Sequence, residues 1–121
     1  MDKKGFRELR VWQKAKDLAV YVYKVTNSVD FNKDFGLRDQ IRRAVVSIAS
    51  NIAEGDERDT NKESVRFFYI AKGSVAELLT QIIIASEISY LTDKDFKYIS
   101  EECETIGRML GKLIKIRRGN A

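Results

Sequence analysis

The sequence predicts an all-α protein, a single-domain up-down-up-down four-helix bundle, on three observations. It has no proline and only 7 glycines, so the commonest helix breaks and the usual punctuation of β-proteins are missing. Four segments repeat apolar residues at alternating steps of four and three, which stacks those side chains along one helical face. Short polar runs separate the segments, and short connections favour antiparallel neighbours. The rhythm has a period of about 3.5 residues, which predicts shallow left-handed crossings. At 121 residues, 44% hydrophobic and 33% charged, the chain suits one core inside a charged shell.

The first helix is expected over 9–29, with Val11, Ala15, Leu18, Val22, Val25 and Val29 facing the core. Phe31 to Phe35 interrupts the rhythm, and Asp34 is placed to N-cap a second helix over 35–54. That helix carries Leu37, Ile41, Ala44, Val45, Ile48 and Ile52, with Gly55 where a left-handed C-terminal residue would stand. Thr60 and Glu63 have the spacing of a capping box for a third helix over 61–90. Its stripe of Phe68, Ala71, Val75, Leu78, Ile82 and Ala85 is widened by Phe67, Ile70, Leu79, Ile83, Ile84 and Ile88. Thr92 or Asp93 starts a fourth helix over 93–117, with Phe96, Ile99, Cys103, Ile106, Leu110 and Leu113 inward.

The absence of histidine excludes imidazole bases, Ser-His-Asp and Cys-His arrangements, and His-ligated metals. The lone Cys103 cannot form an intrachain disulfide or a sulfur cage for zinc, and on the core stripe it reads as an apolar filler. Walker loops, dinucleotide fingerprints and nucleophile elbows are missing as well. The acidic clusters Glu54 to Asp59 and Glu101 to Glu104 lie on a turn and an outer face, without the desolvation that tunes a general acid. A non-enzyme without cofactor or metal is expected. Without a signal-like start or a run of about 18 apolar residues, the chain is expected in the cytoplasm and off the membrane.

Charge is the clearest asymmetry. Residues 1–16 balance at +4 and residues 108–121 at +5, around a centre of −5, so the net is +4. Up-down-up-down topology brings both termini to one end of the bundle, beside the acidic turn Glu54 to Asp59. Lys14, Arg108, Lys112, Lys115, Arg117 and Arg118 are the candidate phosphate contacts there, with Arg38, Arg42 and Arg43 as a second basic cluster. Competing readings are macrodipole complementation, solubility and helix pairing such as Glu104 with Arg108. Antiparallel pairing also brings Arg43 level with Glu77, an expected ion pair between two helices. The apolar surplus of Trp12, Ala19, Tyr23, Met109 and Ile116, added to the wide arc of the third helix, predicts a homo-oligomer.

Three stretches carry a resemblance: Phe6-Arg-Glu-Leu-Arg-Val-Trp-Gln-Lys-Ala15, the run from Gly36 through Gln-Ile-Arg-Arg-Ala-Val-Val-Ser-Ile-Ala-Ser-Asn-Ile-Ala-Glu to Gly55, and Ala71-Lys-Gly-Ser-Val-Ala-Glu-Leu-Leu-Thr-Gln81. The chain resembles the bacterial four-helix-bundle proteins called 23S rRNA intervening-sequence proteins. The resemblance implies a left-handed bundle, a homopentamer and genes lying within insertions in 23S ribosomal RNA genes. It extends to the accessory variability proteins of diversity-generating retroelements, whose basic pentamers bind nucleic acid and a reverse transcriptase. One departure is Ala49, where relatives commonly carry a kinking proline. The shared Arg42, Arg43, Asn51, Glu54 and Glu77 are implied to mark pentamer packing as readily as a binding site. The expected partners are therefore itself, ribosomal RNA or another nucleic acid, and a protein; the alternative is an interaction module with no nucleic-acid role. Five copies would carry about +20.

Overall fold

A computed structural model describes residues 5–119. A 3₁₀ turn, Phe6–Glu8, leads into α1 (Arg10–Val25), α2 (Val29–Lys33), α3 (Phe35–Asp56), α4 (Asn61–Glu87) and α5 (Asp93–Arg117). The four long helices form a square: α3 packs on α1 and α4, α5 packs on α1 and α4, and the diagonal pairs lie farther apart, with α3 and α5 joined at one end by the Asp56–Arg117 ion pair. Neighbours run antiparallel, because late residues of one helix meet early residues of the next. Gly55 meets Ser64 at 2.6 Å, Thr26 meets Arg42 at 2.8 Å, Tyr21 bonds Asp95, and Arg118 just past α5 meets Tyr69 in the first half of α4 at 3.1 Å. The all-α, single-domain expectation holds.

The four-three stripes form the core. Ala15, Leu18, Val22, Val45, Ile48, Ile52, Phe68, Leu78, Ile106 and Leu110 are wholly buried, and Cys103 lies among them. The caps also form where the sequence places them: Asp34 accepts from the Leu37 amide, Thr60 from Glu63, and Thr92 from Asp95.

Three boundaries differ from expectation. The first helix stops at Val25 rather than 29, because the Thr26 hydroxyl turns back to donate to the Val22 carbonyl at 2.7 Å. Ser28 then caps the separate short helix α2, leaving Val29 69% exposed and driving Phe31 under the end of the bundle against Tyr90. The third long helix ends at Glu87 rather than 90. Ser89 takes φ 67°, while the Tyr90 amide donates to Ala85 and the Ser89 amide to Ser86, a Schellman closure. Gly55 is not a left-handed terminator; it lies inside α3, buried against Phe68 and Phe67. α3 also runs unbroken through Ala49.

By length and composition α4 meets the minimum for a membrane span, which the sequence reading did not credit. In the bundle its Phe68, Ala71, Val75, Leu78, Ile82 and Ala85 face the core, while Ser64, Ser74 and Gln81 turn polar groups toward α3.

Candidate nucleic-acid interface

The nine cations singled out from the sequence do not make one patch within the chain. Arg38, Arg42 and Arg43 sit near the end of the bundle where α3 begins, and Arg117 and Arg118 sit at the opposite end. Four of the nine are held by an ion pair or by the C-terminus of α1. Lys14 pairs with Glu102 across the α1–α5 seam. Arg38 pairs with Asp39 at 3.1 Å and bonds Asn32 at 3.2 Å, with its guanidinium 5.0 Å from the Phe35 ring centre. Arg42 closes the C-terminus of α1: it donates to the Thr26 hydroxyl at 2.8 Å and to the Tyr23 carbonyl at 3.2 Å, and lies over the Tyr23 ring. Arg117 bonds the 6%-exposed Asp56 at 2.8 Å and covers the Phe68 ring, tying the end of α5 to the acidic turn. These cations stabilise the fold.

The expected Arg43–Glu77 ion pair does not form within the chain; both residues are exposed and unpaired among the described residues. The α3–α4 seam is joined instead by the Ser47–Ser74 contact, with Asn51 bonding Ser47 from one turn along α3, and by a 3.4 Å contact from Gln81 to Gln40. Arg108 likewise turns to the Thr105 hydroxyl at 3.4 Å rather than to Glu104.

Apart from Arg43, which stays at the other end of the bundle, the remaining cations converge with partners that sequence reasoning missed. Lys62, Val65, Tyr69 and Lys72 recur at steps of three and four on α4, and Arg108, Lys112 and Lys115 do so on α5. Beside them lie three open hollows. One of about 660 Å³ is lined by Asn61, Lys62, Val65, Tyr69, Arg117 and Arg118. A second, about 330 Å³, shares Tyr69 and Arg118 with the first and adds Lys72, Gly111, Ile114 and Lys115. These two share walls and make a furrow along the α4–α5 seam. A third, about 460 Å³, shares Gly111 and Lys115 with the second and adds Thr105, Arg108, Met109 and Lys112, so it is lined by α5 alone and continues the furrow over the outer face of that helix. Seven cationic residues line the three and no carboxylate does. Only Arg117 among those seven has an ion-pair partner among the described residues. Tyr69, 49% exposed, stands mid-furrow with its hydroxyl 3.1 Å from the Arg118 guanidinium. The step-three, step-four spacing on both helices, in antiparallel register, was the available signal.

The resolved proton affinities all move away from neutrality. Burial, then the charges of Glu102 and Glu104, push the Cys103 thiol up to about 12. Hydrogen bonding to Asp95, then burial, pushes Tyr21 up to about 12, and a hydrogen bond to Asp34 raises Tyr90. None of these three groups lines the furrow. Among the described residues, no group of three or more metal-type ligands converges.

Fold and surface together define a small all-α bundle protein with a basic furrow between two antiparallel helices. The chain belongs to the 23S rRNA-intervening sequence protein family, whose model matches residues 7–112. It is similar to a crystal structure of a protein with unknown function from the S23 ribosomal protein family of Bacteroides thetaiotaomicron. The TM-score is 0.79 at 25% identity, over 87% of this chain and 98% of that one. No curated protein matches the chain.

Proposed function

We propose that this protein is a non-enzymatic, self-associating bundle that binds nucleic acid through the α4–α5 furrow. The observation that carries the reading is the row of cations without a lining carboxylate. Phosphates release counterions from such a surface, so contact with the backbone dominates and base readout is small. The membership of an rRNA-linked family favours RNA as the nucleic acid and the cytoplasm as the setting. If most of the six unpaired furrow cations meet phosphates, log affinity falls against log salt with a slope of roughly −3 to −4. Reversing Lys72, Lys115 and Arg118 to glutamate should abolish retention on ribosomal RNA at low ionic strength, with helical content and mass unchanged. Retention equal to the parent protein's would refute the reading.

Self-association has its own support. Ile70, Ile84 and Ile88 are exposed on α4, and Val20, Tyr23 and Val46 are exposed on α1 and α3. Two dissimilar apolar faces suit a head-to-tail ring, such as the pentamer that the family resemblance implies. A sedimentation mass of one chain at micromolar concentration would remove it. The same faces also support the second reading, a protein-interaction module, which the charge reversal separates from the first.

A further inference from the structure

We infer that the α4–α5 furrow takes a single polynucleotide strand, with Tyr69 as the platform for one unpaired base; this rests on the nucleic-acid reading above and specifies its ligand. The single line of cations is the first argument. The furrow follows the one line where two directly packed helices meet, whereas a duplex presents two phosphate backbones on either side of a major groove about 12 Å wide. The furrow therefore matches one row of phosphates.

Length is the second. Lys62 to Lys72 spans about 15 Å of α4 along the two seam hollows, room for about four stacked nucleotides at 3.4 Å each. Lys115 lines both of the hollows that meet at Gly111, so phosphates entering from either side find the same ammonium. Gly111 has no neighbour within 4 Å of a built Cβ, so its lack of a side chain widens the passage and is not required by packing.

The third argument is the aromatic ring. Tyr69 borders two adjoining hollows and is half exposed, while its hydroxyl is anchored by Arg118. A hydrogen bond at the phenol oxygen steadies the ring and leaves π-surface for stacking. In a duplex the base faces are already stacked on one another, so only an unpaired base can use that surface. Cations on both sides of the ring, Lys62 and Lys72 on α4 and Lys115 on α5, then meet the phosphates that flank the stacked base.

The test uses the full-length protein and fluorescence anisotropy with three probes. These are a labelled oligouridylate of about eight nucleotides with one central adenine, a strand of the same length with every base removed, and a duplex RNA of equal length. Tyr69→Ala should weaken the adenine strand about tenfold, leave the abasic strand unchanged, and preserve the salt slope; Tyr69→Phe, which keeps the ring and loses its anchor on Arg118, should retain most of the preference for the adenine strand over the abasic one. Lys115→Gln should weaken both strands and lower the slope by roughly 0.7. If Tyr69→Ala affects the two strands equally or neither, or if the duplex binds more tightly than the strand, the strand inference is overturned while the nucleic-acid reading survives. If neither strand nor duplex binds at low salt, both fall.

Discussion

Gly55→Ala separates two reasons for glycine near the end of α3. If backbone freedom were needed, alanine would fail through strain; the backbone there is helical, so alanine should instead gain roughly 1 kcal/mol of helix propensity. Space decides the outcome. A Cβ on Gly55 would stand 2.7 Å from Cε1 and 2.9 Å from Cδ1 of Phe68, and 3.1 Å from Cβ of Phe67. Phe68 is wholly buried with the Arg117 guanidinium over its ring, and the Ser64 hydroxyl bonds the Gly55 carbonyl at 2.6 Å, so neither ring nor helix can retreat cheaply. Overpacking a dense core typically costs about 1–3 kcal/mol, more where backbone must shift. At contacts this short the cost belongs in the upper half of that range, so the net loss is about 1–2 kcal/mol. Urea unfolding should show it as a lower midpoint at unchanged slope. In a Phe68→Leu background, which removes the offending Cε1, the same substitution should cost nothing or gain about 1 kcal/mol, a coupling of about 2 kcal/mol. Gly55→Ala as stable as the parent, with Phe68 intact, would refute the packing argument.

Ser89→Gly should raise stability by roughly 1 kcal/mol, since Ser89 closes α4 at φ 67° where a Cβ is penalised; an unchanged unfolding midpoint would show that the strain is relieved elsewhere. Cys103 should resist a thiol reagent at pH 8 in the native protein and react only on unfolding, because burial holds its pKa at about 12; reaction at the rate of a free thiol would contradict that placement. Tyr21 carries a raised pKa of about 12 in the folded state, so its contribution is present below pH 10 and lost as pH climbs toward 12. Tyr21→Phe should therefore flatten the alkaline decline in stability between those values, and an identical decline in the variant would assign it to other groups.

The core was legible because burial on one side of a helix imposes a spacing that survives every other demand on the residue. Val11 to Val22 on α1 and Ile99 to Leu110 on α5 show it without exception. The caps at Asp34, Thr60 and Thr92 were legible because their hydrogen bonds close within three residues. Helix α2 was not, since five residues are too few to express a period, although Ser28 ahead of Val29 was its start signal. Gly55 and Ser89 show the limit of residue type as evidence. The glycine was expected in the left-handed conformation and instead makes room for Phe68, while a serine takes the positive φ. Both outcomes depend on what the rest of the fold places opposite. The fate of the cations was hidden for the same reason, because Arg117 meets Asp56 across 61 positions and Lys14 meets Glu102 across 88.

Those partners change what the charge balance means. A positive terminus reads as a binding surface only if its cations lack internal acids, and Arg117, Lys14, Arg38 and Arg42 are each committed to the fold. Apart from Arg43, the candidates left over are those on and beside the α4–α5 seam, where Lys62 and Lys72 join Lys115 and Arg118, with Lys112 on the adjoining face of α5. Helical geometry also places them on a different flank of α4 from the exposed isoleucines. Ile70, Ile84 and Ile88 lie beside Ser74 and Gln81 on the side toward α3, whereas Lys62, Tyr69 and Lys72 lie on the side toward α5. Self-association through the isoleucine flank would leave the furrow open and repeat it once per copy. A long strand crossing several furrows would then bind by avidity, with the first contact raising the local concentration for the next. A modest charge of +4 per chain is enough under that arrangement, because no carboxylate lines the furrow.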